Sequence, residues 1–240
     1  MNILLELTTI NYIIYHSLAK RLAEIYPGSK FAVILGAHGS DALKYLQEQR
    51  DIKYEFIYFH QELRKNAFES DIDYGELESF EKSLAPKSLW RLIAADRGLG
   101  YQFMHGVVFQ KSFLSQSSTH ENILRVFSGL LKQYRTIFHE YKTNIFLPAI
   151  AMGGIDVFIF EQICKEMKIP YIVPSNVRVK NLFAFSSDVQ LRFSHIDDTC
   201  KALIEGRIVL DISKAEVLYN ELIGELKDPQ YFDRMNSRFN

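Results

Sequence analysis

Cysteine is scarce. Cys164 and Cys200 are the only two, far apart and in no Cys-x-x-Cys pair. This excludes a disulfide framework and a cysteine-rich zinc site, and it fits a reducing compartment. Net charge is nearly absent: 28 Lys and Arg against 29 Asp and Glu leave −1. A general nucleic-acid binder needs a basic excess or stripe to meet phosphates, so that class is set aside. No uninterrupted run of about 18 apolar residues occurs, which removes a spanning helix. The start, Met1-Asn2-Ile3-Leu4-Leu5-Glu6, has no basic region before its short apolar run, so no signal peptide is expected. A cytoplasmic protein is the expectation. The seven histidines form neither His-Glu-x-x-His nor His-x-His, and His195-Ile196-Asp197-Asp198 has no second histidine nearby, so no metal is expected. Neither a Gly-x-Ser-x-Gly elbow, a Gly-x-Gly-x-x-Gly loop nor a phosphate-binding Gly-Lys-Ser/Thr loop is present. A serine hydrolase and a dinucleotide or ATP cofactor therefore have no support, and no cofactor is expected.

What is present is an apolar fraction of 48% in 240 residues. A chain of that size buries roughly 70–75% of its unfolded surface, enough for a core without staples. Ile3–Leu7 reads as a buried strand, with Thr8, Thr9 and Asn11 as cap candidates for the helix after it. That helix puts Ile14, Tyr15, Leu18, Ala19, Leu22, Ile25 and Tyr26 on one stripe, and Pro27-Gly28 stops it. Phe31–Leu35 is a second strand, a short helix passes through Leu43 and Leu46, and Tyr54–Phe59 is a third strand. From Glu69 to Glu81 acidic residues crowd with little apolar period, which reads as a solvated connector. Leu89–Leu99 and Thr119–Tyr141 are helix candidates. Asn144–Met152, Gly153-Gly154, Ile155–Met167 and Tyr171–Val173 form a strand-turn-helix-strand unit of crossover length. Regularity drops after Asn181, with one more helix over Ser213–Leu226. The alternation predicts an α/β fold, a Rossmann-like three-layer sandwich with a mainly parallel sheet, and residues 1–240 are expected to form one domain.

In such folds ligands sit beyond the carboxyl ends of the strands. Gly36, in Gly36-Ala37-His38-Gly39-Ser40, and the pair Gly153 and Gly154 mark two strand-to-helix loops there. Each is either a tight turn or a cradle of backbone N–H groups for an anion or a sugar hydroxyl. Asn176, Arg178 and Asn181, in the loop after Val173, offer amide and forked guanidinium hydrogen bonds to phosphate or a polyhydroxylated ligand, or are simply solvated. Asp96-Arg97 is either an ion pair that orients its helix or a ligand contact. Glu6, His38 and Glu161 are the candidate bases.

Three segments carry a resemblance. Ser88-Leu-Trp-Arg-Leu-Ile-Ala-Ala-Asp-Arg97, Ile155–Pro170 with its Ile-Pro ending, and Val177–Asp188 are similar, in order and spacing, to segments of bacterial and archaeal capsular or surface-polysaccharide biosynthesis proteins. Asp228-Pro229-Gln230-Tyr231 adds a shorter match. The Arg-x-x-Asn-Arg pattern of that family has Leu182 here in place of its second basic residue. The resemblance implies the N-terminal half of a glycosyltransferase of the two-Rossmann, GT-B type. It implies attack of an acceptor hydroxyl on a nucleotide-activated sugar, with the stereochemistry open, and it places Arg97, Arg178 and Asn181 toward a cleft. The partners implied are a glycan or lipid-linked glycan acceptor and a nucleotide sugar bound by a C-terminal domain or partner chain absent from this sequence. Transfer by this chain alone is not expected. Peripheral association with the inner membrane face belongs to the same set of implications. Two rivals stand beside it: a non-catalytic glycan-binding or assembly module, and a nucleotide-sugar epimerase-like enzyme.

Overall fold

The computed structural model describes residues 1–9, 11–36, 40–84, 88–96, 119–149, 154–176 and 182–224. Its contacts divide the chain into two units. The first is Met1–Val173 with Ser187–Gln190, and the second is Pro174–Ser186 with Leu191–Asn240.

The first unit is built on four strands, β1 (Asn2–Leu7), β2 (Lys30–Leu35), β3 (Tyr54–Phe59) and β4 (Ile145–Leu147). They pair in parallel in the order β3-β2-β1-β4. Strands β1 and β2 are buried from Ile3 to Leu7 except for part of Glu6, and from Phe31 to Leu35. Such near-continuous apolar runs are what a sheet covered on both faces requires. The period of two then sorts the side chains. Ile3, Leu5, Leu7, Val33 and Leu35 pack with Tyr15 and Ala19 of α1 (Tyr12–Ile25) and with Ala42 and Leu46 of α2 (Ser40–Glu48). On the other face Phe146 meets Phe138 of α6 (His120–Glu140) and Phe160 of α7 (Ile155–Met167), ring centroids 5.0 and 4.8 Å away. Each of these buried rings contributes roughly 1.5–3 kcal/mol. The result is the expected α/β architecture with helices on both faces of a parallel, Rossmann-like sheet.

Several local expectations need correction. The side chain of Asn11 does not cap α1; its Oδ1 accepts from Thr8 N at 2.7 Å and closes the turn between β1 and α1. Ile14, Ile25 and Tyr26 are exposed, because one short helix covers two strands with Tyr15, His16 and Ala19 alone fully buried. The acidic stretch is helical. After α3 (His60–Glu69) comes α4 (Tyr74–Ser83), where Asp73 Oδ1 accepts from Glu76 N at 2.8 Å and Leu77 and Phe80 are buried. Two apolar residues three apart suffice to hold a turn against the core, so surrounding acids did not mean a loop. The helix α5 ends at Ala95 (Leu89–Ala95), with Asp96 as its C-cap. Strand β4 is shorter than the run Asn144–Met152, and Tyr171 joins the sheet only as an isolated parallel bridge to Phe146.

Helix α3 packs so closely on α6 that a Cβ at Gly129 would lie 2.5 Å from Ala67 Cα. Thr119 caps α6 through a 3.2 Å bond from Asn122 N, and Lys168 ends α7 in the left-handed region, so both helices lie within their expected bounds.

The second unit contains a two-stranded sheet of β5 (Val173–Asn176), which starts at the last residue of the first unit, and β6 (Phe183–Ser186). Helices α8 (Ser194–Ile204) and α9 (Ser213–Gly224) follow. Neither β6 nor α8 was expected from the sequence. Asn176 ends a strand rather than sitting in a loop.

Candidate functional site

The strand order reverses between β1 and β4, since β1 leads to β2 on one side while β4 lies on the other. Ligand sites in open parallel sheets form at the carboxyl edge of such a point. Glu6 occupies that edge. Parity puts it on the face of Leu4, and the strand buries it to 7% exposure. Its Oε2 accepts from Ala149 N, just past β4, at 2.8 Å. Asn11 Nδ2 donates to the carbonyl of Glu6 at 3.3 Å, and Tyr15 donates its phenolic proton to Pro148 O. The exits of β1 and β4 are thus tied together around one carboxyl group. Burial pushes Glu6 up from an ordinary 4.5 to about 7, against the smaller opposing effects of the Ala149 amide, His60 and Arg64.

A second carboxylate has the opposite environment. Asp156 stands in the first turn of α7, where the helix dipole favours an anion. Arg64 of α3 donates to its Oδ2 at 2.7 Å, and Tyr134 of α6 donates to its Oδ1 at 2.8 Å. His60, the residue after β3, brings Nε2 to 3.0 Å from Oδ1, an ion-pair distance whose direction does not make a hydrogen bond. The charges of His60 and Arg64 outweigh burial and hold Asp156 far below the usual carboxylate range. Asp96, at the end of α5, accepts from Ile155 N at 2.7 Å and so caps α7 from outside. Gly154 lies between these carboxylates: a Cβ there would come within 3.3 Å of Asp156 Oδ2 and 3.6 Å of Asp96 Oδ2.

Of the residues singled out from the sequence, Glu6, Gly36 and Gly154 all stand at strand-to-helix turns of the sheet. Gly36 donates its N–H to Leu7 O at 2.7 Å, which ties the exits of β1 and β2. Glu161 is on α7, where it accepts from Val189 N at 3.2 Å and pairs with Lys165 at 3.2 Å. Asn176 is exposed in the second unit. His38, Arg97, Gly153, Arg178 and Asn181 lie outside the described residues. Sequence reasoning missed His60, Arg64, Tyr134 and Asp156. The available signals were a histidine at the carboxyl end of a strand and an aspartate two residues past the Gly-Gly turn. Among the described residues no cluster of three or more His, Cys, Asp and Glu can hold a metal, and no helix is long and apolar enough to cross a membrane. A groove of about 480 Å³ lined by Arg135, His139, Glu166 and Met167 opens at the far end of α7 from Asp156.

Fold and site together define a Rossmann-like α/β unit with buried carboxyl groups at its switch-point edge. No protein-family model matches the chain, and no curated protein matches it. Among solved structures it is similar to the UDP-GlcNAc 2-epimerase from Neisseria meningitidis bound to UDP-GlcNAc. The identity is 10% and the TM-score 0.35, over 72% of this chain and 32% of that one. The chain therefore spans about a third of that enzyme's length, and at this level the likeness assigns neither family nor function.

Proposed function

We propose that the chain is the acceptor-side, N-terminal half of a nucleotide-sugar-dependent glycosyltransferase of surface or capsular polysaccharide assembly. Glu6 is its base. The observation that carries this reading is a buried carboxyl group at the switch-point edge with a pKa of about 7. Such a group is half ionised at neutral pH, which suits it to take a proton from a sugar hydroxyl. In that step the acceptor oxygen gives its proton to the Glu6 carboxylate and bonds to the anomeric carbon. The bond from that carbon to the nucleoside diphosphate breaks, and the diphosphate leaves with the electron pair.

The charge balance supports an acceptor rather than a donor site. Among the described side chains at this edge, Glu6, Asp96 and Asp156 are acidic, and the basic His60 and Arg64 both lie against Asp156. A neutral polyhydroxylated acceptor needs no further cation there, whereas a diphosphate is stabilised by positive charge. On this reading the donor's diphosphate is held by a second domain or chain, and the acceptor is a glycan, free or lipid-linked.

Calorimetric titration tests this directly. The chain is expected to bind members of an oligosaccharide panel and not UDP- or CMP-sugars; binding of a nucleotide sugar to this chain alone contradicts the reading. With the donor-binding half supplied, Glu6→Gln is expected to lower transfer about 10²–10⁴-fold while acceptor binding persists. An unchanged transfer rate removes Glu6 from the role.

A further inference from the structure

The second unit has an unusual surface. Its buried described residues are Pro174, Ala184, Ser186 and Ala202. Between α8 and α9 runs Ile208-Val209-Leu210-Asp211-Ile212, four of whose five residues are large and apolar. All four are exposed, Val209 at 94% and Leu210 at 49%. No described backbone group receives the N–H of Val209, Leu210, Asp211 or Ile212. β-branched and aliphatic composition of this kind belongs in a sheet. Left without a backbone partner, a segment of this composition can pair with another strand. The following helix, α9, has 12 residues, and from Ser213 to Glu221 only Leu218 is even half-buried. A helix of that length is marginal in water without a packed face. Strand-like segment and helix both lack the partner their compositions call for.

We infer that Ile208–Ile212 pairs in antiparallel fashion with the same segment of a second copy of this chain, about a two-fold axis at Leu210. The charges select this occupant. With Leu210 opposite its own copy, Ile208 faces Ile212 and Val209 faces Asp211 of the second copy. Ile208, Leu210 and Ile212 of both chains then share one face, six apolar side chains with no charge among them. Arg207, Val209 and Asp211 share the other. There Arg207 is the diagonal neighbour of Asp211 of the second copy, within reach for a long side chain, and symmetry makes the contact twice. Arg207 now pairs with Glu205 at the surface, an exposed contact that is easily exchanged. Two strands alone are marginal, and the apolar face needs a helix over it. The two α9 helices supply that cover with the face of Ala215 and Tyr219, one turn apart and both exposed.

Sedimentation over a concentration series tests the inference on the full chain. The expected species has about twice the 27.9 kDa chain mass. Leu210→Asp sets two carboxylates face to face on the axis and removes the central apolar contact from both copies. It is expected to weaken association by about a hundredfold or more, with an unchanged circular dichroism spectrum because Leu210 is exposed. Arg207→Asp alone is expected to weaken association several-fold, and the charge-swapped pair Arg207→Asp with Asp211→Arg to restore it. A chain that stays monomeric overturns the inference and gives the surface to a different polypeptide. A dimer untouched by Leu210→Asp overturns it too, since the contact then lies elsewhere. Failure of the charge swap to rescue overturns the antiparallel register.

Discussion

Replacing Glu6 with glutamine is expected to stabilise the protein at alkaline pH while removing the base proposed for the transfer step. The folded protein raises Glu6 from 4.5 to about 7, chiefly by burial. Each pH step of displacement is worth about 1.4 kcal/mol, so the folded state disfavours the ionised carboxylate by about 3 kcal/mol. The sign follows from proton binding. Between pH 4.5 and about 7 the folded chain holds the proton and the unfolded chain does not, so this group's contribution is full below 4.5. It falls as pH rises and is lost above about 7. Glutamine is neutral throughout, and its carbonyl oxygen can still accept from Ala149 N. Its two N–H donors need partners, which offsets the gain in absolute stability by about 1–3 kcal/mol. The pH slope is free of that offset. Wild type minus variant should change by about 3 kcal/mol between pH 4.5 and 8.

Urea unfolding read by tryptophan fluorescence isolates the right unit, because the chain's single tryptophan, Trp90, is on α5 of the first unit. Asp156 does not confuse the window. Its pKa is lowered, so its contribution is present above the unfolded value near pH 4 and lost only as pH falls below it. Parallel stability profiles for wild type and Glu6→Gln from pH 5 to 8 would refute the reasoning, since the carboxyl would then be ionised at no cost in the folded chain.

Asp156→Asn is expected to cost about 3–5 kcal/mol in urea unfolding, because it leaves Arg64 and His60 beside a neutral amide in a buried site. Gly129→Ala is expected to cost about 1–3 kcal/mol and lower Tm by about 3–10 °C in calorimetry. Its Cβ would meet Ala67 Cα at 2.5 Å and Ala67 Cβ at 2.7 Å, and backbone on a packed helix cannot swing aside.

How much of this was legible depended on how local each signal was. Helix α7 runs from Ile155 to Met167 as the apolar period says, and α6 from His120 to Glu140 within its expected bounds, Thr119 to Tyr141. Glycine, threonine and apolar spacing within one element decide those ends. The burial of Leu77 and Phe80 depends instead on α6 lying beneath α4, and Glu76 there pairs with Arg135, 59 positions away. Acidic composition hid that packing. The same reason concealed half the site. Glu6 was visible because it interrupts an apolar strand at its carboxyl end. Asp156 and Arg64 meet across 92 positions, and no window of sequence contains both.

That separation explains why the two buried carboxyl groups differ. They lie at one sheet edge, yet one is held far below the ordinary range and the other raised to about 7. The divergence follows from where the cations go. Helix α3 starts at the end of β3, which brings His60 and Arg64, one turn apart, onto the first turn of α7 and against Asp156. Glu6 is left with a backbone amide as its hydrogen-bond partner. A neutral dipole stabilises a carboxylate less than a guanidinium does, and burial then decides its protonation. Pairs of titratable groups whose surroundings push them apart are how one fold provides a fixed anion and a mobile proton near neutral pH. Asp156 fixes three helices in place. Glu6 has no such cation against it, so burial keeps its proton on toward neutral pH.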